Sequence, residues 1–385
     1  MQRIFLDHNS TTRPLPEVID AMSAHWRASF ANPGSRHAEG RIARRALEDA
    51  RERIAVILGA RPSEVIFTSG GTESINLAIL GLAQNRPGTL LLTAGEHPAT
   101  REACRELERR GWRLCLLDID SDGRIVEEKL DQLPWNDVKL ATLILAHNET
   151  GVLQDVGPLA ARCNRFGVSL HLDAVQAVGK IPVHLRDLKV TALSLGAHKF
   201  HGPRGIGALL LREDAALSPR QLGGHQESER RAGTEPVALA VGMAVALERW
   251  ESEREDREVK LRELRDRLER GLEACCEPAV VNGSRQHRLA NTLNIAFPGV
   301  DGEALLVALD LAGISCSLGS TCASGSTEPA PVLVAMGCPP GISSSSVRFS
   351  LSIENTLAEI DEAVSRIAQC VGRLRRSSIP AAING

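Results

Sequence analysis

The sequence predicts an α/β protein: a large domain built on a mostly parallel sheet, followed by a smaller C-terminal α+β domain. In the first two thirds of the chain, short apolar runs alternate with amphipathic stretches, as in strands joined by covering helices. From about Glu251 the sequence becomes strongly charged, and leucines then recur at helical spacing, which predicts a long helix. A length of 385 residues agrees with about two domains.

The predicted elements follow one another in a regular order. Buried strands are expected at five apolar runs: Glu64–Thr68, Thr89–Thr93, Lys139–Ala146, Val168–Leu172 and Gly207–Leu211. Amphipathic helices are expected at Gly40–Leu58 and Glu73–Ala83, and the long charged helix packs through Leu261, Leu264, Leu268 and Leu272. The smaller domain is expected to contain strands at Thr292–Phe297 and Ser346–Leu351 and helices at Gly302–Leu311 and Leu357–Val371.

Composition and charge narrow the class of protein. Hydrophobic residues make up 43% and charged residues 24%, as in an ordinary globular protein. The formal net charge of −3 gives no electrostatic reason to expect nucleic acid or an anionic membrane as the main partner. Met1–Ser10 lacks the apolar core of a signal peptide, and no apolar run approaches the roughly 20 residues of a membrane span. We therefore expect a cytoplasmic protein.

The nine cysteines are odd in number and irregularly spaced, and no two form a CxxC pair. This pattern argues against a disulfide framework and against a zinc site, so no metal is expected. Most of these cysteines are expected to be small buried hydrophobic residues.

Five polar motifs each follow a predicted strand of the large domain. In an open α/β sheet the carboxyl ends of parallel strands form the ligand crevice, so these motifs are expected to meet in space. They are Thr68–Ser74, Glu96-His97, Asn148–Gly151, Asp173–Gln176 and Ser194–Gly207.

Taken singly, each motif has an ordinary structural explanation, such as a turn or a surface lysine. Taken together, they offer a glycine-rich helix start for a phosphate and a flat imidazole, His97, for ring stacking. Asp173 would be a partner for a pyridine nitrogen, and Lys199, in a confined setting, could form an imine. This combination matches what pyridoxal phosphate (PLP) requires of a protein.

These residues resemble the cysteine desulfurases, in the class V aminotransferase group of fold type I PLP enzymes. The resemblance extends from Leu6–Thr12 to Val347–Leu351. Its motifs stand in the family order: Phe67–Ser74, Asn148–Gly151, Asp173–Gln176, His198–Pro203 and Arg231–Glu235. It implies a large PLP-binding domain over residues 14–252. Residues 1–13 and 253–385 would form the small domain, which carries the cysteine loop and a substrate-binding arginine.

The resemblance also implies residue roles. Lys199 is expected to form the imine, Asp173 to pair with the pyridine nitrogen, and Gln176 to bond the ring hydroxyl. His97 is expected to stack on the ring and to handle protons. The implied phosphate contacts are Gly71, Thr72, His198 and, from the other subunit of a homodimer with shared sites, Thr234.

For the substrate, the resemblance implies that Asn148 and Arg348 hold the carboxylate of L-cysteine. Cys322 lies among small residues in Leu318–Pro329, and a helix is expected to begin just after it, near Thr327. Both features suit a mobile thiol with a lowered pKa. By resemblance to the subgroup with a Gly-Ser-x-Cys loop, Cys322 takes the sulfur as a persulfide, L-alanine leaves, and the sulfur passes to an acceptor protein.

Several positions depart from the family pattern. Gly196 stands where a phosphate-binding serine is usual, which predicts weaker cofactor retention. The other departures replace an asparagine (His147) or glycines: His225, Ser228, Glu229 and Ser352.

Alternative functions remain open at this level. A selenocysteine lyase or a cysteine sulfinate desulfinase would use the same scaffold. A class V aminotransferase would not need Cys322 and would consume a keto acid, and a non-catalytic sulfur-relay protein would not need the intact Lys199. The acceptor pathway is also open between iron–sulfur cluster assembly, tRNA thiolation and thiocofactor synthesis.

Overall fold

The computed structural model describes residues 2–84, 87–318 and 329–377, and all structural statements concern these residues. The strands are β1 Ile4–Phe5, β2 Val65–Thr68, β3 Thr89–Thr93, β4 Arg113–Leu117, β5 Val138–Ile144, β6 Ser169–Asp173, β7 Ala192–Gly196, β8 Gly207–Leu211, β9 Val280–Val281, β10 Thr292–Ala296, β11 Ile314–Ser315 and β12 Ser346–Ser350. The helices are α1 Pro16–Ala28, α2 Ala38–Ile57, α3 Gly71–Leu82, α4 Pro98–Arg109, α5 Gly157–Phe166, α6 Leu185–Leu188, α7 Val237–Cys275, α8 Gly302–Leu311, α9 Pro331–Ala335, α10 Pro340–Ser343 and α11 Leu357–Ser377.

A seven-stranded sheet with the order β2-β8-β7-β6-β5-β3-β4 forms the centre of the larger body. Its inner strands read as continuous apolar runs because helices cover both faces. All the strands are parallel except β8, which runs antiparallel to both β2 and β7. The sheet is thus mostly parallel, as predicted, but the direction of β8 itself was not predicted from the sequence. Only ten residues link Gly196 to Gly207, fewer than a parallel crossover requires.

A second, smaller sheet lies in a separate core. There β10 pairs antiparallel with β12 and β9, and its side chains pack with those of α8 and α11. The N-terminal strand β1 pairs with β11, which places Ile4 and Leu6 in this same core. The start of the chain is thus tied to its C-terminal third. The division at residues 14–252 remains a prediction.

The long helix α7 contributes to both cores. It begins at Val237, earlier than the charged stretch suggested, and Trp250 packs in the core of the large sheet. Leu264, Leu268 and Leu272, three of the four leucines predicted to form its packed stripe, are buried in the small core. No helix in the described part of the chain is long and apolar enough to cross a membrane.

Replacing Leu268 with alanine tests the small core. Its side chain is fully buried, so the substitution leaves a cavity and should lower the free energy of unfolding by about 2–5 kcal/mol. Val259 on the same helix is 69% exposed, so Val259→Ala should cost less than about 0.5 kcal/mol. Chemical denaturation of both variants measures the difference. Equal losses would contradict this packing.

Candidate active site

A cavity of about 520 Å³ lies at the carboxyl ends of the parallel strands. It collects residues from the loops after β2, β3, β5, β6 and β7, together with the N-terminal segment and β12. Nine predicted site residues line it: Gly71, Thr72, His97, Asn148, Asp173, Gln176, His198, Lys199 and Arg348. Thr234 does not line it, and Cys322 lies outside the described residues.

Lys199 projects into the cavity from a short turn directly after β7. Its Nζ donates hydrogen bonds to the carbonyl oxygens of Asn9 at 2.6 Å and Ser10 at 2.9 Å. Burial, assisted by the charge of Arg348, lowers the pKa of this amine from 10.5 to about 8. An appreciable neutral, nucleophilic fraction is therefore present near physiological pH.

Asp173 is the last residue of β6 and is buried. Its Oδ1 accepts a hydrogen bond from the backbone N–H of Val175 at 3.0 Å. Burial raises the pKa of this carboxyl, although His97 and Lys199 oppose the shift. Within the described residues, Asp173 forms no ion pair. A buried carboxylate is costly without a cationic partner, and a protonated ring nitrogen would be one.

His97 caps the start of α4. Its Nδ1 accepts a hydrogen bond from the N–H of Ala99 at 3.1 Å, so the proton of the neutral ring is on Nε2. Burial lowers the pKa of the imidazole below 6.5, while Asp173 opposes the shift. A neutral ring suits both stacking and proton transfer.

The first turn of α3 forms a cradle for an anion. Gly70 adopts a φ of 155°, and a Cβ on Gly71 would lie 2.6 Å from a Val175 methyl group, so the turn requires glycine there. The amides at the start of this twelve-residue helix favour a phosphate. Gly196 lies beside the start of α3. A Cβ added to Gly196 would lie 3.3 Å from the Gly71 nitrogen and 3.7 Å from His198 Cδ2.

Gly196→Ser should strengthen cofactor binding. Gly196 has an extended backbone with a φ of −138°, so serine fits once its neighbours shift by a few tenths of an ångström. One added hydrogen bond, about 0.5–1.5 kcal/mol, should lower the PLP dissociation constant roughly three- to tenfold. Gly196→Ala adds the Cβ without the hydroxyl and should not tighten binding. Equal dissociation constants for wild type and Gly196→Ser would contradict the role assigned to the missing hydroxyl.

Asn9 joins several parts of the site, a role that sequence reasoning missed. Its carbonyl accepts hydrogen bonds from Lys199 and, at 2.8 Å, from Gln176 Nε2, and its Nδ2 donates to the Asn148 carbonyl at 3.2 Å. Lys180 Nζ bridges Asn9 Oδ1 at 2.8 Å and Gln176 Oε1 at 2.6 Å. This bridge fixes the orientation of the Gln176 amide. The available signals were the position of Asn9 in Leu6–Thr12 and the four-residue spacing of Gln176 and Lys180.

Arg348 lies buried in the middle of β12. The strand pattern alone does not distinguish it from a surface arginine. Its guanidinium contacts Asp7 at 2.7 Å, the Asn148 carbonyl at 3.1 Å and Glu149 Oε1 at 3.3 Å. Two carboxylates thus hold the arginine in place at the cavity wall, and neither had been identified from the sequence.

The chain on both sides of residues 319–328 lies beside the cavity. Ser317, a lining residue, exchanges two backbone hydrogen bonds with Arg348, at 2.7 and 3.2 Å. On the other side, Val332 of α9 packs against Gly95, where a Cβ would be 2.9 Å from the Val332 Cβ. The helix start expected near Thr327 lies outside the described residues, and the next described helix begins at Pro331.

The positions that depart from the family pattern in the loop before Arg231 lie away from the cavity. His225, Ser228 and Glu229 do not line it, and Glu227, Ser228 and Glu229 have φ values of 48°, 54° and 65°. Such a left-handed run of residues other than glycine is strained. A buried pair between Glu227 and Arg51, at 2.8 and 2.9 Å, holds this turn.

His147 and Ser352, two further departures from the family pattern, form hydrogen bonds with other residues of the protein. His147 Nδ1 accepts from the N–H of Glu149 at 3.1 Å, and its Nε2 donates to the Gly95 carbonyl at 2.8 Å. His147 therefore ties the loop before His97 to the loop carrying Asn148. Ser352 Oγ lies 3.4 Å from His201 Nε2, outside the cavity lining.

The cavity residues fit PLP in their chemistry. A glycine-built helix start suits the phosphate, a buried and unpaired carboxylate suits the ring nitrogen, and an amine of lowered pKa suits the aldehyde. The helix start of α3, the carboxylate of Asp173 and the amine of Lys199 all face the same cavity.

Comparison with known proteins agrees with this fit. Residues 4–363 match the aminotransferase class-V family. The chain is 41% identical to the cysteine desulfurase NifS of Azotobacter vinelandii, over 98% of this chain and 95% of that protein. It superposes on a solved NifS-like protein with a TM-score of 0.91 and 34% identity, covering 97% and 100% of the two chains. It superposes on SspA, solved in complex with cysteine, with a TM-score of 0.78 and 29% identity, covering 91% and 99%.

These matches, spanning nearly the whole chain, confirm the predicted α/β fold of a fold type I PLP enzyme. The chain belongs to the class-V aminotransferase family and, within it, to the PLP-dependent cysteine desulfurases.

Proposed function

We propose that this protein removes sulfur from L-cysteine in the cavity described above. L-alanine leaves, and the sulfur remains as a persulfide on Cys322 until an acceptor takes it. The observation that carries the proposal is the meeting of Lys199, Asp173 and Arg348 in one cavity. An imine-forming amine, an acid for the ring nitrogen and a carboxylate-binding arginine are what an enzyme acting on amino acids through PLP requires.

In this proposal the phosphate binds at Gly71, Thr72 and His198, and Asp173 pairs with the ring nitrogen. Gln176, oriented by Lys180, bonds the ring hydroxyl, and His97 stacks on the ring. When bound, PLP supplies an electron sink that labilises bonds at the carbon atoms of the amino acid.

The substrate is oriented by its carboxylate. Arg348 and Asn148 are joined by a hydrogen bond of 3.1 Å, so the two groups form one binding surface. The guanidinium recognises a carboxylate through paired hydrogen bonds. This contact holds the side chain of L-cysteine in a single orientation relative to Lys199.

Two groups are placed to move protons. Lys199 Nζ, with its lowered pKa, accepts a proton at physiological pH more readily than an ordinary lysine that is already protonated. His97 carries its proton on Nε2 because Nδ1 is occupied by the N–H of Ala99.

Cys322 is assigned to the sulfur-accepting step. Its sulfur bonds to the substrate sulfur, and the carbon–sulfur bond of the substrate breaks with its electron pair left on the carbon. That carbon takes up a proton, which gives L-alanine and a persulfide on Cys322. Cys322 is four residues beyond Leu318, a distance of at most about 14 Å in extended chain. Ser317, the residue before Leu318, lines the cavity, which supports this assignment.

Product analysis with several substrates tests the function. With L-cysteine and a thiol reductant, alanine and sulfide should form in equal amounts without any keto acid. Rates with L-selenocysteine and cysteine sulfinate, measured in parallel, identify the preferred substrate. Alanine formed only from one of the other two substrates, or turnover that depends on a keto acid, would contradict the proposal.

The active protein is proposed to be a homodimer. Thr234 is exposed outside the cavity, so its assigned phosphate contact requires a second copy. Leu222 is 82% exposed on the same loop, which Gln221 Nε2 closes by donating to the Ala232 carbonyl at 2.7 Å. Sedimentation should give twice the chain mass, and a monomer with full activity would contradict the assignment.

A further inference from the structure

Glu149 holds an unusual position among the cavity residues. Its Oε1 accepts hydrogen bonds from Asn148 Nδ2 at 2.5 Å and from Arg348 at 3.3 Å. Its Oε2 is buried and has no hydrogen-bond partner in the described part of the protein. An ionised carboxylate with one oxygen neither solvated nor paired is costly, whereas a protonated one can keep its proton there.

Two carboxylates already face Arg348 before a substrate arrives. Asp7 contacts one nitrogen of the guanidinium at 2.7 Å, and Glu149 contacts another at 3.3 Å. The carboxylate of an amino acid would be a third anion beside one arginine.

We propose that Glu149 takes up a proton at Oε2 when the substrate carboxylate binds to Arg348, and releases it when the product leaves. This inference rests on the proposed function, because it assumes an amino-acid carboxylate at Arg348. The proton comes from solvent. The substrate carboxylate then replaces Glu149 as the second anion beside the guanidinium, so the local charge is unchanged. Glu149 is a positioning residue that acts through Arg348.

The direction of the pH effect follows from linkage. Burial raises the pKa of Glu149 above 4.5 and Asp7 raises it further, against the opposing effects of Arg348 and Lys199. A bound carboxylate adds another negative charge and raises this pKa again. Affinity for a carboxylate ligand should therefore fall as pH rises through the pKa that Glu149 has in the ligand-free protein. The fall should be up to about tenfold per pH unit.

The other groups that face Glu149 do not account for such an effect. Arg348 stays charged, and Asn294, which donates to the Glu149 carbonyl at 3.3 Å, does not titrate. Burial lowers the pKa of His147 to about 4, so His147 remains neutral above pH 5.5. Asp7 and Lys199 remain present in a Glu149 variant, so comparison with that variant removes their contribution.

Calorimetry on the PLP-loaded protein tests the proposal, with propionate as the probe. Propionate carries the carboxylate but neither the amine nor the thiol, so it cannot exchange with the imine. Titrations between pH 5.5 and 9 in two buffers of different ionisation heat give both the affinity and the number of protons taken up. Wild type, Glu149→Gln and Asp7→Asn are compared.

Wild type should take up protons on binding and lose affinity as pH rises, by up to about tenfold per unit. Glu149→Gln should take up none of these protons, match wild type at the acid end and bind more tightly at the alkaline end. Asp7→Asn removes the half-buried carboxylate that pairs with the same arginine, so it should bind more tightly at every pH and keep the proton uptake.

Three results would overturn the proposal: no proton uptake by wild type at any pH, equal uptake by Glu149→Gln, or no propionate binding. Tighter binding by Glu149→Gln at every pH would also overturn it, because Glu149 would then be ionised throughout. If Glu149→Gln fails to fold, Asp7→Asn decides: proton uptake that persists in this variant supports Glu149, and loss of the uptake would overturn the proposal. Failure of desulfuration is scored separately, because propionate binding needs no turnover.

Discussion

Replacing Lys199 with alanine is expected to lower the rate of sulfur release from L-cysteine by at least about 10³-fold, as for loss of an essential covalent group. Lys199→Arg should lose as much, since a guanidinium keeps the charge but cannot form an imine. Both variants should also lose the visible absorbance that PLP has when joined to lysine. Lys129→Ala is a matched control, because Lys129 is 53% exposed and does not line the cavity.

The same lysine predicts a pH dependence. In cofactor-free protein, only the neutral amine reacts with PLP, and burial lowers the pKa of Lys199 to about 8. The rate of reconstitution should rise with pH up to about 8 and then level off. Stopped-flow absorbance measures it. A rate that keeps rising toward pH 10, as for an ordinary lysine, would contradict the lowered pKa.

Cys322→Ala is expected to lower sulfide release by about 10²-fold or more, because the variant lacks the nucleophile assigned to the sulfur. PLP binding and its visible spectrum should remain, since no predicted cofactor contact is removed. Cys338→Ala is the matched control, because burial raises the pKa of Cys338 and makes it a poor nucleophile. Normal sulfide release by Cys322→Ala, with the cofactor bound, would remove Cys322 from the reaction.

Much of the fold was predictable because the central strands are continuous apolar runs in the sequence. β3 and β8 were located to the residue, and the charged helix α7 was found from its leucine stripe. The direction of β8 was not predicted, because it depends on the length of the preceding link. The edge strand β4, over Arg113–Leu117, was missed because its residues are partly exposed and lack a buried pattern.

The candidate site divides in a similar way. Lys199, Asp173 and His97 follow strands, so local sequence and the rule for parallel sheets were enough to bring them together. Asn9 and Glu149 matter through contacts between distant parts of the chain. Asn9 bonds the carbonyl of a residue 139 positions away, and Glu149 pairs with an arginine 199 positions away. No local pattern identifies such pairs.

A single turnover with sulfur-labelled L-cysteine, followed by mass analysis of the peptides, tests the central claim most directly. We expect one added sulfur atom on Cys322, an equal amount of L-alanine and none of the label on the other eight cysteines. Lys199→Ala should show neither label nor alanine. Alanine formation with the label on another cysteine, or with no labelled cysteine, would contradict the account.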